Sequence, residues 1–401
     1  MKNILQNAKR LSLLKTNQAL PEYKRFLFQE VFASTGRITG IYGSRGVGKT
    51  TLLLQVLQAL PLKSETKLYI SCDHPAFKGI SLFDFVDEFS KRGGELIIID
   101  EIHEAEDFQA QLKSVYDFLD VKVFFSGSSA IKITNPDFAR RYSMYHLPVL
   151  SFREFLEISQ DITLKSYNLE TILSGHERVV HEIFAGLREK KILKFFDQFL
   201  SVGIYPFYFE DKTRYLDRIV ETMNTVLATD LGQLFNIQAE KISTLKKLLL
   251  TICVSKPLEL SIDKLASRVG ITKSTLYKYI DYLAKAELVL HISHEAKRFK
   301  SIRKPDKLYL ANTNLFNALC LKHEKGTLRE AFFASMVGPC HSLHYLDRGD
   351  FLLDEKYVFK IGGRNKSFNQ IANFPEAFVA ADDIETGLGN KIPLWLFGFL
   401  Y

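Results

Sequence analysis

One eight-residue run constrains the fold of this chain more than any other feature of its sequence. Gly43-Ser44-Arg45-Gly46-Val47-Gly48-Lys49-Thr50 matches the pattern G-x-x-x-x-G-K-[ST], with an apolar run at 38–42 before it and an amphipathic stretch at 52–60 after it. A chance glycine-rich turn is the alternative, but the flanking strand and helix favour a phosphate-binding loop. Successive N–H groups of such a loop face the phosphates, and the positive end of the following helix adds to their field.

The loop predicts which residues hold ATP and Mg²⁺. Lys49 would place its charge on the β- and γ-phosphate oxygens, and the Thr50 hydroxyl would be a ligand of Mg²⁺. The predicted ATP-binding residues are Gly43, Ser44, Arg45, Gly46, Val47, Gly48, Lys49, Thr50 and Thr51.

Two carboxylates further along the chain could hold the metal and activate the water that ATP hydrolysis at such a loop requires. The apolar run 96–99 ends in Asp100 and Glu101. We expect Asp100 to hold Mg²⁺ directly or through water, and Glu101 to orient and deprotonate the attacking water. Capping of the next helix is the alternative role of this pair. We expect His103 to be a solvated loop residue without a role.

The segment 37–129 alternates short apolar runs with amphipathic helical stretches, which is typical of a parallel sheet covered by helices. Strands are predicted at 38–42, 68–71, 96–100 and 121–126. This pattern predicts an α/β nucleotide-binding domain.

Length and composition limit the class of protein. A chain of 401 residues exceeds the size of one hydrophobic core, so we expect several domains. No apolar run is long enough for a membrane-spanning helix, and the amino-terminal segment lacks the apolar core of a signal peptide, so we expect a cytoplasmic protein with no membrane partner. Four widely separated cysteines are expected to be reduced structural thiols, namely Cys72, Cys253, Cys320 and Cys340.

Positive charge is concentrated in one segment. Residues 261–310 hold eleven Lys and Arg against five Asp and Glu, a net +6 of the +7 carried by the whole chain. The apolar spacing predicts two helices separated by Gly270 and followed by strands at 288–292 and 307–310, which together make a winged helix. The residues expected to contact nucleic acid are Lys273, Ser274, Tyr277, Lys278, Lys297, Arg298, Lys300, Arg303 and Lys304. The alternative to DNA binding is that the winged helix packs on another domain or protein and that its basic tip is only a solvated loop.

These motifs together resemble the AAA-type ATPases that carry a C-terminal domain of unknown function. The resemblance rests on the loop, on Ile99-Asp100-Glu101, on Phe125-Ser126-Gly127-Ser128-Ser129 and on Leu147-Pro148-Val149-Leu150-Ser151-Phe152-Arg153-Glu154-Phe155, and it extends through most of the chain. It implies a polar sensor of the γ-phosphate at Ser126 or Ser128. It also implies that Arg141 stabilises the transferring phosphoryl group, in cis or from a neighbouring subunit, although Arg140 stands where the family has glycine.

In the family that this chain resembles, the last domain is similar to the restriction-endonuclease fold. The carboxylates of that fold bind a divalent metal that activates water, and its lysine stabilises the developing charge. Glu330 and Asp350 match the first two carboxylates. The acid-x-Lys element is missing, because Val358 stands two residues before Lys360 and Gly362 two residues after it. We therefore expect a degenerate domain without nuclease activity, in which Glu330 and Asp350 are ordinary surface acids.

The predicted organisation is a P-loop AAA-type ATPase domain at 1–146, a helical lid or connector at 147–236, a winged helix at 237–320 and a small α/β, restriction-endonuclease-like domain at 321–401. The predicted function is Mg²⁺-dependent ATP hydrolysis coupled to DNA binding. The predicted catalytic residues are Lys49, Glu101, Ser126 and Arg141. The alternative is a nucleotide-gated switch or scaffold for protein partners, and either function allows a homo-oligomer.

Overall fold

A computed structural model describes residues 2–128, 141–235, 237–254, 262–295 and 307–401. The chain divides into two compact units, residues 1–148 and 149–401. No helix within the described ranges is long and apolar enough to cross a membrane. The finer division of the second unit into three domains stays a prediction.

The first unit alternates helices and strands. Its helices are α1 Lys2–Thr16, α2 Phe28–Phe32, α3 Lys49–Ala59, α4 Leu82–Lys91 and α5 Phe108–Phe118. Its strands are β1 Ile38–Gly43, β2 Lys67–Ser71, β3 Leu96–Asp100, β4 Lys122–Ser128 and β5 Tyr142–His146. The four predicted strands are confirmed to within two residues at each end, whereas β5 was not predicted.

These strands form one parallel five-stranded sheet in the order β2-β3-β4-β1-β5. The run Leu96–Ile99 of β3 has no exposed surface, as expected for an inner parallel strand. The carboxyl ends of parallel strands lie at one edge of the sheet. The ends of β1, β3 and β4 therefore place the phosphate-binding loop, Asp100 and Ser128 along the same edge.

Helix α1 covers the outer edge of β2. The Ser12 hydroxyl accepts a hydrogen bond from the Tyr69 main-chain N–H at 2.9 Å, and both residues are buried. An edge strand presents unpaired N–H groups that favour aggregation unless another element covers them. The amino-terminal helix α1 therefore covers this edge of the sheet.

The second unit is helical in its first half and contains two sheets in its second half. Its helices are α6 Phe152–Gln160, α7 Leu169–Gly186, α8 Ile192–Ser201, α9 Tyr215–Thr225, α10 Leu231–Phe235, α11 Ala239–Cys253, α12 Ile262–Val269, α13 Lys273–Lys285, α14 Thr313–Leu319 and α15 Lys325–Val337. Its strands are β6 Val289–Ile292, β7 Lys307–Leu310, β8 Leu343–His344, β9 Phe351–Leu353, β10 Tyr357–Gly362, β11 Ala377–Ala381 and β12 Lys391–Pro393.

Strands β6 and β7 pair antiparallel, beside the helices α11 to α13 where a winged helix is predicted. The other sheet has the order β12-β11-β10-β9-β8. Within it, β8, β9 and β10 pair antiparallel, whereas β11 is parallel to both β10 and β12. The C-terminal segment is therefore a mixed sheet, and its relation to nucleases stays a prediction.

The predicted lid shares a core with the last segment of the chain. Phe152 at the start of α6 contacts Phe196 and Phe199 of α8, and also Trp395 and Phe399 of the 3₁₀ helix Leu394–Phe399. A capping box begins α6, with both of the reciprocal hydrogen bonds between Ser151 and Glu154 present.

One expectation about the cysteines was wrong. Cys253, the last residue of α11, is joined by a disulfide to Cys320, which follows α14, and their Cα atoms lie 5.8 Å apart. The expectation of reduced thiols used sequence separation alone, and the fold brings these distant residues within the range of a disulfide. Cys72 and Cys340 are free thiols.

Candidate functional site

The phosphate-binding loop joins β1 to α3, and its conformation depends on glycine. Gly46 and Gly48 have φ angles of 88° and 95°, in the left-handed region that other residues avoid. A Cβ at Gly43 would lie 2.2 Å from the Leu147 carbonyl oxygen, so a side chain has no room there. The glycine pattern therefore has a direct steric reason at three positions.

Lys49 begins α3 and is buried. Its Nζ donates hydrogen bonds to the carbonyl oxygens of Gly43 at 2.8 Å and Ser44 at 3.0 Å. The ammonium group is thus held inside the loop, where it could exchange these carbonyls for phosphate oxygens. Thr50 and Thr51 follow in the first turn of α3, where the helix dipole favours an anion.

Asp100 ends β3 and lies beside the loop. Its Oδ2 accepts a hydrogen bond from the Thr50 hydroxyl at 2.7 Å, and its Oδ1 accepts one from the Ser126 hydroxyl. A hydroxyl and a carboxylate side by side fit Mg²⁺, which binds through few protein oxygens and completes its coordination with phosphate and water. Thr50 and Asp100 are thus brought together as predicted ligands.

Glu101 is in the left-handed region with a φ angle of 48°, which is uncommon for a residue with a side chain. Its main-chain N–H donates to the Ser126 hydroxyl at 3.2 Å. Burial raises the pKa of the Glu101 carboxyl above its ordinary value, and the nearby Lys49 and Arg45 partly offset this rise. A carboxylate with a raised pKa is a better proton acceptor near neutral pH.

The expectation of a solvated His103 was wrong. The His103 side chain has no exposed surface, and its Nδ1 lies 3.5 Å from Oε2 of Glu101. Its Nε2 lies 3.9 Å from Oε1 of Glu104. Ile102 and His103 of the 3₁₀ turn Ile102–Glu104 are both buried, so a position that follows an acidic pair in sequence becomes part of the interior.

Two further contributors were missed by sequence reasoning. Arg25 is buried, and its guanidinium donates to the carbonyl oxygens of Val47 at 2.5 Å and Pro148 at 2.9 Å. The arginine therefore holds the phosphate-binding loop from outside the motif. Tyr69 of β2 donates its hydroxyl to Oδ2 of Asp100 at 2.7 Å. Neither residue belongs to a pattern that marks its role in the sequence.

The two candidate sensors differ. Ser126 is fully buried, and its hydroxyl contacts both Asp100 and the Glu101 N–H. Ser128 is the last residue of β4 and pairs with Gly43 at the start of the loop. Its hydroxyl is buried and has no hydrogen-bond partner in the described ranges. Ser126 therefore orients the acidic pair, whereas Ser128 has a hydroxyl available beside the loop. Ser129 and Arg140 lie outside the described residues.

Arg141 lies at the wrong edge of the sheet to act on the nucleotide of its own chain. It directly precedes β5, whose Tyr142 pairs with Ile38 at the amino end of β1. The loop begins at Gly43, at the carboxyl end of β1, roughly 16 Å away along the strand at about 3.3 Å per residue. The cis alternative was wrong, because its Nε lies 3.4 Å from Oδ1 of Asp117 at that distant edge.

The charged face of the predicted winged helix is smaller than the sequence count indicates. Lys307 is buried, with its Nζ 3.2 Å from Oε2 of Glu330. Lys273 forms an ion pair with Asp263, while Lys278 is exposed. The predicted tip residues Lys297, Arg298, Lys300, Arg303 and Lys304 lie outside the described residues. In the sequence, five of the eleven Lys and Arg of residues 261–310 belong to the predicted tip.

The C-terminal acids are not ordinary surface residues, contrary to expectation. Asp350 is buried, and its Oδ1 lies 2.8 Å from the Lys360 Nζ. Its Oδ2 accepts a hydrogen bond from the Ile361 N–H at 2.7 Å. Glu330 accepts a hydrogen bond from the Tyr309 hydroxyl as well as the contact from Lys307. Each carboxylate is thus neutralised by a lysine of the same unit.

Comparison with known proteins gives two family matches. Residues 35–156 match a family described as an AAA domain, and residues 193–326 match a domain of unknown function. The chain is 27% identical over 390 residues to an uncharacterized protein of Methanocaldococcus jannaschii, and this alignment covers 88% of the chain and 81% of that protein.

Two solved structures match this chain at low sequence identity and low TM-score. A Walker-type ATPase of Pyrococcus abyssi is 16% identical, with a TM-score of 0.40, and the match covers 73% of this chain and 93% of that one. The replication initiator DnaA, bound to AMPPCP and single-stranded DNA, is 13% identical, with a TM-score of 0.27, and the match covers 71% of this chain and 92% of that one. Residues 35–156 are similar to an AAA domain, and their parallel sheet is consistent with a P-loop ATPase.

Proposed function

We propose that this protein binds ATP with Mg²⁺ and hydrolyses it. The observation that carries the proposal is the meeting of three groups at one sheet edge: the loop after β1, the Thr50–Asp100 pair and the Glu101 carboxylate. These groups support the proposal because the loop suits phosphate, the Thr50–Asp100 pair suits a metal and the Glu101 carboxylate suits water activation.

The roles of the side chains follow from their positions. Lys49 and the loop N–H groups neutralise the β- and γ-phosphates. Thr50 and Asp100 would hold Mg²⁺, which supplies further positive charge to the phosphate oxygens when bound. Glu101 accepts a proton from the attacking water as its oxygen bonds to the γ-phosphorus and the bond to the β–γ bridging oxygen breaks. ADP leaves with its charge neutralised by the loop.

Ser126 and Ser128 have separate roles in this proposal. Ser126 fixes the positions of Asp100 and Glu101 through its two hydrogen bonds, one to the Asp100 carboxylate and one from the Glu101 N–H. Ser128 contacts the γ-phosphate, because its buried hydroxyl lies next to the start of the loop. The Ser126→Ala variant should lower both metal binding and turnover, whereas Ser128→Ala should lower turnover alone.

Arg141 acts on the nucleotide of a neighbouring copy in this proposal. The proposal is supported by the position of Arg141 before β5, at the edge of the sheet opposite the phosphate-binding loop, from which a contribution would need a homo-oligomer. Turnover per chain would then rise with protein concentration. An Arg141→Ala chain, inactive alone, would regain activity when mixed with an inactive Glu101→Gln chain that supplies the arginine.

What the ATP cycle drives has two candidate answers. DNA binding is favoured by α13 with its exposed Tyr277 and Lys278, together with the basic tip at 296–306. A nucleotide-gated protein switch is favoured by the ion pairs of Lys273 and Lys307, which remove charge from the face offered to DNA. We place DNA-coupled hydrolysis first, because the tip alone retains a dense cluster of cations.

The test is steady-state ATP hydrolysis with and without single-stranded and duplex DNA. Stimulation by DNA supports the coupled function, and it should disappear in Lys49→Ala. Hydrolysis that DNA leaves unchanged supports the protein switch. An absence of hydrolysis in every condition overturns the proposal.

A further inference from the structure

Tyr69 contacts the predicted metal ligand from outside every motif of the sequence. Its hydroxyl donates to Oδ2 of Asp100 at 2.7 Å, and Thr50 donates to the same oxygen at 2.7 Å. Ser126 donates to the other oxygen, Oδ1. Three hydroxyls on three different elements thus fix the orientation of one carboxylate.

The three donors differ in what else they do. Thr50 is itself a predicted Mg²⁺ ligand, and the Ser126 hydroxyl also accepts a hydrogen bond from the Glu101 N–H. Tyr69 lies outside the predicted ligand set, so holding Oδ2 of Asp100 is the role left for its hydroxyl. Its position is also fixed at the main chain, because its N–H donates to Ser12 of α1 at 2.9 Å.

We propose that Tyr69 is a positioning residue for Mg²⁺-dependent nucleotide binding, and this role rests on the function proposed above. Its hydroxyl holds the Asp100 carboxylate in the rotamer that faces Thr50 and the phosphate-binding loop. Hydrogen-bond partners of metal ligands restrict the ligand to one orientation, and their loss lowers metal affinity by about 10- to 100-fold.

The phenol is suited to this role because it is held at both ends. Tyr69 is buried on β2, its main-chain N–H is bonded to Ser12 and its hydroxyl is bonded to Asp100. A phenol on a buried strand has little freedom to follow the carboxylate if the carboxylate rotates.

The Tyr69→Phe variant removes one oxygen and keeps the ring. Binding of a fluorescent ATP analogue is measured in EDTA and then across a Mg²⁺ titration. We expect unchanged binding in EDTA, because the loop and Lys49 are intact, and an increase of about 10-fold in the Mg²⁺ concentration needed for half-maximal enhancement. Tyr142→Phe is the matched control, since it removes a tyrosine hydroxyl from β5 of the same sheet, and its titration should equal that of the wild type.

A double-mutant cycle separates positioning from general damage to the fold. In an Asp100→Ala background the Tyr69 hydroxyl has no side-chain oxygen to hold, so Tyr69→Phe should cause no further change in the Mg²⁺ dependence. Additive losses, or a Tyr69→Phe titration equal to that of the wild type, overturn the positioning role. A wild type that binds the analogue but never hydrolyses ATP overturns the proposed hydrolysis while leaving the Mg²⁺ titration as a valid test of Tyr69. A wild type that binds no nucleotide overturns both.

Discussion

The Thr50 hydroxyl lies 2.7 Å from Oδ2 of Asp100, although the two residues are separated by fifty positions in the sequence. One belongs to the helix after the phosphate-binding loop and the other ends the inner strand β3. Their contact turns two separate sequence motifs into a single site for a metal and a phosphate. Glu101, next along the chain, brings a carboxylate of raised pKa to the same place.

The raised pKa of Glu101 predicts the direction of the pH dependence. Only the ionised carboxylate accepts a proton from water, so kcat should fall as pH decreases through this pKa. The midpoint should lie above 4.5, the ordinary glutamate value. The measurement is kcat at saturating Mg²⁺ and ATP from pH 4 to 8, with circular dichroism as the control for unfolding. A midpoint at or below 4.5 contradicts this account of the burial of Glu101.

The basic tip predicts a steep salt dependence of DNA binding. Each phosphate contact displaces a condensed counterion, so log affinity decreases linearly with log salt concentration. Removing one contact should make this negative slope shallower by about 0.9. Replacing Lys297, Arg298 and Lys300 with alanine should flatten the slope by up to about 2.7 and weaken all sequences alike.

The control for this prediction is a variant with the same loss of charge at another place. Lys190, Lys191 and Lys194 are exposed, and their replacement by alanine should leave the slope within error of the wild type. A wild-type slope near zero, or a tip variant that binds as its parent does, leaves the tip as a solvated loop. The protein-switch function would then take first place.

The C-terminal unit should not cut DNA. The Lys360 Nζ and the Ile361 N–H already engage both oxygens of Asp350, and Lys307 engages Glu330, so neither carboxylate is available to a divalent metal. Supercoiled plasmid and single-stranded DNA should remain intact with Mg²⁺ or Mn²⁺, as judged by gel electrophoresis. Cleavage that disappears in Asp350→Ala would show that the acids do bind a metal.

The disulfide should stabilise the second unit. Its cysteines are 67 residues apart in sequence, and closing a loop of that size stabilises a fold by about 4 kcal/mol in the chain-entropy model. A reductant should lower the Tm by roughly 10 °C. The Cys253→Ser, Cys320→Ser double variant should have the lower Tm without reductant and show no response to it.

Cys340→Ser is the matched control, because Cys340 is a free thiol whose removal leaves the disulfide in place. Alkylation of the denatured, unreduced protein should modify two of its four cysteines. Modification of all four under these conditions would show that the thiols are reduced, as the sequence alone predicted.

Local patterns account for what could be predicted. The glycines of the loop and the apolar run before Asp100 each lie within a few residues, so their strand and helix could be identified from spacing alone. The strand β5 could not, because Tyr142–His146 mixes aromatic and polar residues with a single methionine and contains no apolar run. Its position beside β1 depends on the completed sheet.

Long-range contacts account for what was missed. Arg25 reaches a carbonyl 123 residues away, and Tyr69 reaches a carboxylate 31 residues away. His103 was expected to be solvated because it lies in a polar stretch, and Lys307 was counted with the positive charge of the basic segment. Both are buried once neighbouring elements pack over them. Arg141 was assigned to its own nucleotide as one alternative, and only the strand register shows that it lies at the other edge of the sheet.

The most direct test of the central claim compares two variants of the nucleotide site. Lys49→Ala should abolish ATP binding, because the loop loses the charge that neutralises the phosphates. Glu101→Gln should bind ATP with Mg²⁺ as the wild type does, while kcat falls by a factor of about 10² to 10⁴, the contribution typical of a general base. Binding is measured by calorimetry and turnover by phosphate release on the same preparations. Unchanged turnover in Glu101→Gln would contradict the account, because it would show that another group activates the water.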